Sequence, residues 1–393
     1  MDAASGGTTI SAEMADEASS HHLLTLGIEE EYLLFDAVDP RAAEAVEEVI
    51  DRVPADHRES VQHEFLRTQI EVASPPQLEL GDLFAAMRQL RRSVATAAEQ
   101  SGVRLVAVGT GPAEGTPARR VDAPRYHRMI ERYGDLTPGH GLCGTHVHVS
   151  IPDPETGTVL LNHLRPWLPI FQAATANSPL VGGVDTGYAS WRSMLWDRWP
   201  TVGPTPPLRS HDHYRELVAG LESSGAILDE GMLYWYARLS ASYPTVEIRM
   251  GDVMPTLDDA MLLAALARAL VATLLRDVRA GRPAPEVSPA LLTAAHWRAA
   301  HDGLEGLSVD PVTGATGPAW RRFRQLFDLV RPELDRHGDL AMATVLLGRL
   351  RAHGTGAARQ RAILARNGSV ADVVDWLARA TRGNAVRPEL DHT

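Results

Sequence analysis

The chain has 393 residues, 44% of them apolar and 22% charged, enough to bury a substantial core in one large domain or two ordinary ones. Its formal net charge of -12 argues against nucleic acid or an anionic membrane as a partner. All 38 basic residues are arginines, which excludes a lysine Schiff base, a P-loop lysine and a lysine carbamate bridging two metals.

Residues 1–22 are rich in Ala, Ser, Gly and acids and lack an apolar h-region, so they predict a flexible N-terminal tail and no signal peptide. Residues 24–35 predict a strand carrying Gly27-Ile28-Glu29-Glu30-Glu31-Tyr32, and 42–53 a helix. Residues 65–72 predict a second strand, with Gln69-Ile70-Glu71-Val72, stopped by Ser74-Pro75-Pro76. Helical spacing over 83–100 closes at Gly102, and 103–108 is a short apolar strand. The next run, Gly109 to Gly115, is similar to a dinucleotide-binding loop. Its third glycine is one residue late, Pro112 interrupts it and no amphipathic helix follows, so that reading is set aside.

Residues 142–151 predict a strand carrying Thr145-His146-Val147-His148-Val149. It begins beside Cys143, the single cysteine, which reads as a small buried residue. One cysteine excludes an intramolecular disulfide and a thiolate zinc site and fits a reducing compartment. A helix interrupted by prolines near its start is expected over 160–176. Residues 185–207 have no clean period and combine Trp191, Trp196 and Trp199 with Arg192, Arg198 and four prolines. They read as a loop anchored by its tryptophans or as a lid or substrate loop presenting Arg192. A strand over 239–250, interrupted near Pro244, carries Val246-Glu247-Ile248-Arg249. Thr256 and Asp259 then form a variant capping box. The apolar run 260–275 is too short to span a bilayer and carries Arg268 in its middle. From there to about residue 382 the pattern is helical, and 384–393 is a C-terminal tail. With no linker to force a boundary, 23–383 is expected to be a single domain of a cytoplasmic protein.

Residues i and i+2 of a strand share a face. The four polar strands would therefore bring Glu29, Glu31, Glu71, His146 or His148, Glu247 and Arg249 onto one platform with apolar residues behind. Glu30 points the other way, where an arginine partner or a place near the sheet edge is expected. An isolated Glu-x-Glu or His-x-His is commonly a solvated or hydrogen-bonded face; the joint occurrence is what points to a site. Same-face glutamates about 7 Å apart repel by roughly 2 kcal/mol per pair at an effective dielectric near 20. Four of them make six pairs, on the order of 10 kcal/mol in all, which a protein of ordinary stability cannot carry uncompensated. Divalent cations would compensate, and carboxylate oxygens select Mg²⁺ or Mn²⁺.

The runs GIEEEYLLFD, QIEVASPP, CGTHVHVSIPD, ANSPLVGGVDTGYASWRS and VEIRMGDVMPT, in this order, resemble the type 2 glutamate–cysteine ligases, also called YbdK-like carboxylate–amine ligases. The resemblance covers about 24–275 and implies an α+β fold like the glutamine synthetase catalytic domain. In that fold a curled, mostly antiparallel sheet has helices on its outer face, here with a helical C-terminal third. It implies ATP and Mg²⁺ (or Mn²⁺) as cofactors and amino-acid-type small molecules as partners, and it allows a homodimer. The implied reaction activates a carboxylate, in the best-known cases the γ-carboxylate of glutamate, as an acyl phosphate that cysteine or another amine captures. Carried over residue by residue, the metal ligands are Glu29, Glu31, Glu71, His146 and Glu247, and Arg249 contacts the transferring phosphoryl group. Glu64 resembles a further ligand, but seven residues before Glu71 it needs a bulge or a strand start to reach the same face. Arg125, Tyr126 and Arg192 are candidates for holding substrate carboxylates, with His148 beside them, and Arg192 is a catalytic candidate with Arg249; Glu64 and His148 are the available bases for the amine.

Three alternatives stand beside this reading. They are another acid and amine pair on the same fold, a non-catalytic ATP- or amino-acid-binding homologue, and a metal-dependent hydrolase of the His-x-His kind. The last expects a further distant histidine pair and often the lysine carbamate that this chain cannot form.

Overall fold

Leu26–Asp36 (β1) is the spine of the molecule, and its pleat decides what faces the site. Ile28, Glu30, Tyr32 and Leu34 are fully buried on one face, while Glu29 and Glu31 stay partly open on the other. The computed structural model describes residues 23–113, 117–136 and 139–383; the expected tails, 1–22 and 384–393, and the third glycine of the loop at 109–115 lie outside them.

The strands that follow β1 are Val61–His63 (β2), Gln69–Ala73 (β3), Val103–Val106 (β4) and Gly144–Ser150 (β5). After a small hairpin, Leu180–Val181 (β6) with Val184–Asp185 (β7), come Ala237–Leu239 (β8) and Thr245–Asp252 (β9). The main sheet runs β2-β3-β1-β5-β9-β8, antiparallel throughout, with β4 paired to the far half of β1. It does not close on itself. Its register places Glu31 opposite Glu71, Glu29 opposite His146 and His148 opposite Glu247. The acidic platform is therefore a consequence of pairing, not of neighbouring sequence.

Behind the sheet lie the helices Leu80–Gln100 and Leu257–Arg279, which bury long apolar faces. One contiguous apolar cluster runs from Leu26 to Ala380. Glu30 has the expected arginine: Arg91 donates to its carboxylate at 2.5 and 2.8 Å, and Tyr32 Oη at 2.5 Å. Arg91 also donates to the carbonyls of Met254 and Pro255, tying the sheet to both helices. A one-residue slip of β1 would drive Glu29 and Glu31 into this core and strand Arg91, so the buried pair enforces the pleat that the site requires. Arg268, central in the apolar run, pairs with Asp339 at 2.5 Å. Among the described residues no helix is long and apolar enough to cross a membrane.

Several boundaries differ from expectation. The strand expected over 65–72 begins only at Gln69, because a turn separates β2 from β3 and Gln69 donates its N–H back to Leu66. The stretch 239–250 is a hairpin, not one interrupted strand: β8 and β9 are joined by a turn at Ser240–Pro244 in which Ser240 donates to Thr245. The helix expected over 160–176 is two, Pro154–Leu164 and Leu168–Thr175, broken around Pro166. Thr256 caps Leu257–Arg279 as expected, accepting from the Asp259 N–H at 3.3 Å.

Candidate active site

A cavity of about 230 Å³ opens on the polar face of the sheet. Its floor holds two groups of three ligating side chains. Glu29, His146 and Glu247 form one group and Glu31, Glu64 and Glu71 the other; in each, one ligand atom per residue lies within 4.8 Å of the others. His146 Nδ1 stands 3.1 Å from Glu29 and 3.7 Å from Glu247, and its Nε2 stands 3.9 Å from Glu31. Oxygen donors with one imidazole and no thiolate could hold Mg²⁺ or Mn²⁺. Glu64 reaches this floor through the turn after β2, two residues beyond Gln62, which faces Glu71. Of the two devices expected, a bulge or a strand start, the late start of β3 at Gln69 is the one seen, with Glu64 left just past the end of β2.

Four arginines line the same cavity. Arg249 is buried between the rings of Trp196 and Tyr234, with its guanidinium carbon 5.7 and 5.4 Å from their centroids. Its Nη1 lies 3.4 Å from Glu247, while Nε and Nη1 make no hydrogen bond. Such a cation has donors to spare for an anion. Arg192 is 2% exposed and stacks over Trp196 at 4.6 Å. Arg125 lies at the edge, held by Asp229 through two hydrogen bonds of 3.2 and 3.1 Å.

A sequence profile described as glutamate–cysteine ligase family 2 matches residues 25–377. The chain belongs to glutamate–cysteine ligase family 2. With the family comes its class, an ATP-dependent carbon–nitrogen ligase that joins a carboxylate to an amine. A protein from Salinispora arenicola named "Putative glutamate–cysteine ligase 2" is 50% identical over 360 residues, covering 91% of this chain and 95% of that one. A Saccharopolyspora erythraea protein, "Putative glutamate–cysteine ligase 2-1", is 46% identical over 90% of this chain and 93% of its own. Among solved structures, a Francisella tularensis glutamate–cysteine ligase in complex with AMP superimposes with a TM-score of 0.67 at 12% identity, covering 92% of this chain and 89% of that one. A bifunctional glutathione synthetase from Pasteurella multocida gives 0.67 at 16%, and this chain spans about half of it, 92% matching 52%. At those identities the likeness is one of fold, an α+β architecture on an open antiparallel sheet.

The ligase's other expected site residues are placed unevenly. His148 does not line the cavity: its Nδ1 meets Thr245 Oγ1 at 3.0 Å and its Nε2 stands 3.3 Å from Glu29, so it buttresses a floor carboxylate. Tyr126 is also off the lining, its ring packed edge-on to Phe65 at 5.2 Å. The segment 185–207 forms one wall of the cavity and brings Arg192 to it. It contains the helix Trp191–Trp196, capped by Ser190, and it contributes buried Trp196 and Trp199 to the cavity. Cys143 is buried beside Gln69, and burial pushes its thiol well above the usual range. Sequence reasoning missed Arg238, which donates to Glu247 at 2.7 Å and to the carbonyls of Glu230, Gly231 and Leu233. The alternation Ala237-Arg238-Leu239 carries the same period-two signal, but it lay outside the strand expected at 239–250.

The carboxylates of the family 2 floor are driven in opposite directions. Burial opposes ionisation of Glu29, but the His146 and His148 imidazoles beside it more than offset that and hold the group well below the usual range. Glu247 is likewise penalised by burial, yet Arg249 and Arg238 bring it down to about 2. Glu64 is pushed up to about 7 by burial and then by Glu31. Glu71 is pushed well up by burial, then by Glu64, Glu29, Glu31 and Glu247. A carboxyl whose pKa is raised on folding destabilises the fold as pH climbs from its unfolded value. The metal-free protein should therefore lose stability from Glu64 between pH 4.5 and about 7, and lose Glu247's contribution only as pH falls toward 2. Melting temperatures in chelator across that range check this: Glu64→Gln should flatten the decline, and an unchanged slope would refute it.

Proposed function

We propose that this ligase activates the γ-carboxylate of glutamate by phosphoryl transfer from ATP and couples it to cysteine or another amine. The observation that carries the reading is the convergence of two acidic triads and the open guanidinium of Arg249 on one cavity. Glu29, His146 and Glu247 would hold one Mg²⁺ or Mn²⁺ ion, and Glu31, Glu64 and Glu71 another. Bound there, the ions would supply charge neutralisation for phosphate oxygens, which phosphoryl transfer needs more than covalent help.

The chain's own residues supply the rest. Arg249 shares its face of β9 with Glu247 and offers its unpaired donors to the phosphoryl group in flight. Arg192 presents a fixed cation to a substrate carboxylate, whereas Arg125 already gives Nε and Nη2 to Asp229 and has Nη1 left to offer. In the reaction an oxygen of the acid attacks the γ-phosphorus and ADP leaves. The amine nitrogen then attacks the acyl carbon and phosphate leaves, giving an amide. An acyl phosphate must be kept from water, and Phe65, Trp196, Trp199 and Tyr234 form an aromatic wall around the cavity. Of the two groups open as the base for the amine, Glu64 lines the cavity and His148 does not. The hydrolase alternative wants a second histidine pair, and His146 is the one histidine among the described lining residues.

ADP release measured over a matrix of acids and amines, with Mg²⁺ or Mn²⁺ and mass spectrometry of the products, tests the reading. An acid- and amine-dependent burst of ADP with a matching amide is expected. ADP formed without amide for every pair, or no ADP at all, would overturn it.

A further inference from the structure

We propose that Asp252, the last residue of β9, is a positioning residue for the ligase reaction, setting Arg192 against the cavity. The inference rests on the function proposed above and deepens it. Asp252 is 1% exposed, and two of the three bonds its side chain accepts lead to Arg192 or the segment that carries it. Its Oδ1 lies 3.8 Å from Arg192 Nη1 and accepts from Ser190 Oγ at 2.8 Å. Ser190 is the N-cap of the helix Trp191–Trp196. Its Oδ2 accepts from Ser178 Oγ at 2.7 Å and from the Asn177 N–H at 2.8 Å. Ser178 Oγ in turn accepts from the backbone N–H of Arg192 at 3.0 Å. One carboxylate thus organises the charge, the backbone and the helix start of a single arginine.

Two glycines clear the space. A Cβ on Gly109 would lie 2.8 Å from Asp252 Cγ, and one on Gly144 would lie 2.4 Å from Arg192 Nη2. Gly144 also donates its N–H to Glu31 at 2.6 Å, so the guanidinium rests against the strand that holds a floor carboxylate. Core stability alone does not require this arrangement, because well-packed apolar side chains replace buried ion pairs at little or no cost. Asp252 compensates the charge of Arg192 without the bidentate embrace that Asp229 gives Arg125; Arg192 Nη1 donates to the Met250 carbonyl at 3.3 Å, and Nε is left with no partner. The guanidinium is held and neutralised, yet still available.

The test uses the full chain as wild type, Asp252→Asn, Arg192→Ala and the double variant. Asp252→Asn is expected to raise KM for one of the two coupled substrates about tenfold while KM for ATP moves less than about twofold. In the Arg192→Ala background the same change should add nothing, as for two residues acting through one group. Crystal structures of wild type and Asp252→Asn locate the guanidinium without any turnover, and a shift off the Trp196 ring is expected. Losses that add in the double variant, or a guanidinium that stays put, overturn the proposal. If no acid and amine pair releases ADP with wild type, the proposed function fails, and the two crystal structures still decide the positioning. Should Asp252→Asn not fold, Ser178→Ala cuts the bridge to the Arg192 backbone and is read the same way.

Discussion

Arg249→Ala is expected to lower kcat by about a thousandfold, the scale on which an arginine stabilises a phosphoryl-transfer transition state. The structure explains why the loss should fall on the chemical step and not on the fold. Glu247 keeps its closer partner, Arg238 at 2.7 Å, when Arg249 at 3.4 Å is removed. Burial already lowers the Arg249 pKa, and two of its nitrogens lack partners, so the folded protein carries this cation at a cost. What truncation removes from the fold is the stacking on Trp196 and Tyr234, about 2 kcal/mol each for a desolvated cation, and one of the two arginines that hold Glu247 ionised; relief of the buried charge offsets much of that loss. The melting temperature should therefore move by only a few degrees while turnover collapses. Arg249→Lys keeps the charge but loses the planar fork and should recover only part of the rate. A kcat within tenfold of wild type in Arg249→Ala would remove it from the phosphoryl-transfer step.

The residues most legible in the sequence were those whose information is local. Period-two alternation on β1, β3, β5 and β9 names Glu29, Glu31, Glu71, Glu247 and Arg249 and leaves His146 or His148 for the imidazole, because a strand with an apolar back has only one face left for its polar residues. Glu30 was legible for the same reason, as the odd acid on the buried face. What alternation cannot convey is where a strand stops. Residues 65–72 hold a turn and a strand, and only the turn explains how Glu64 joins Glu31 and Glu71. Nor does it convey partners remote in sequence. His148 shares the face of His146, but the register gives it Thr245 and Glu29 to satisfy, which takes it out of the cavity. Arg125 looks free until Asp229, 104 residues on, is brought beside it. Tyr126 needs the position of Phe65 before its ring can be placed.

Glu71→Gln should affect stability and activity in opposite directions. Glu71 faces Glu64, Glu29, Glu31 and Glu247, and it has no cationic partner within ion-pair distance among the described residues. It stays partly open to the cavity, so solvent softens the repulsion without abolishing it. In chelator at pH 8, replacing this carboxylate with a neutral isostere should raise the melting temperature by a few degrees, where about 1 kcal/mol is worth ~2 °C in a chain of this length. Adding Mg²⁺ should reverse the order. A ligand that binds only the folded state stabilises it in proportion to the logarithm of its saturation, and the variant has lost a donor from the triad with Glu31 and Glu64. Turnover should fall by about a hundredfold or more, with the deficit in kcat/KM for ATP. The same carboxylate would thus be a liability in the empty fold and an asset in the working one, the pattern expected of charge assembled for a cation. If Glu71→Gln melts below wild type in chelator, or gains as much from Mg²⁺ as wild type does, Glu71 belongs to the scaffold and not to the ion.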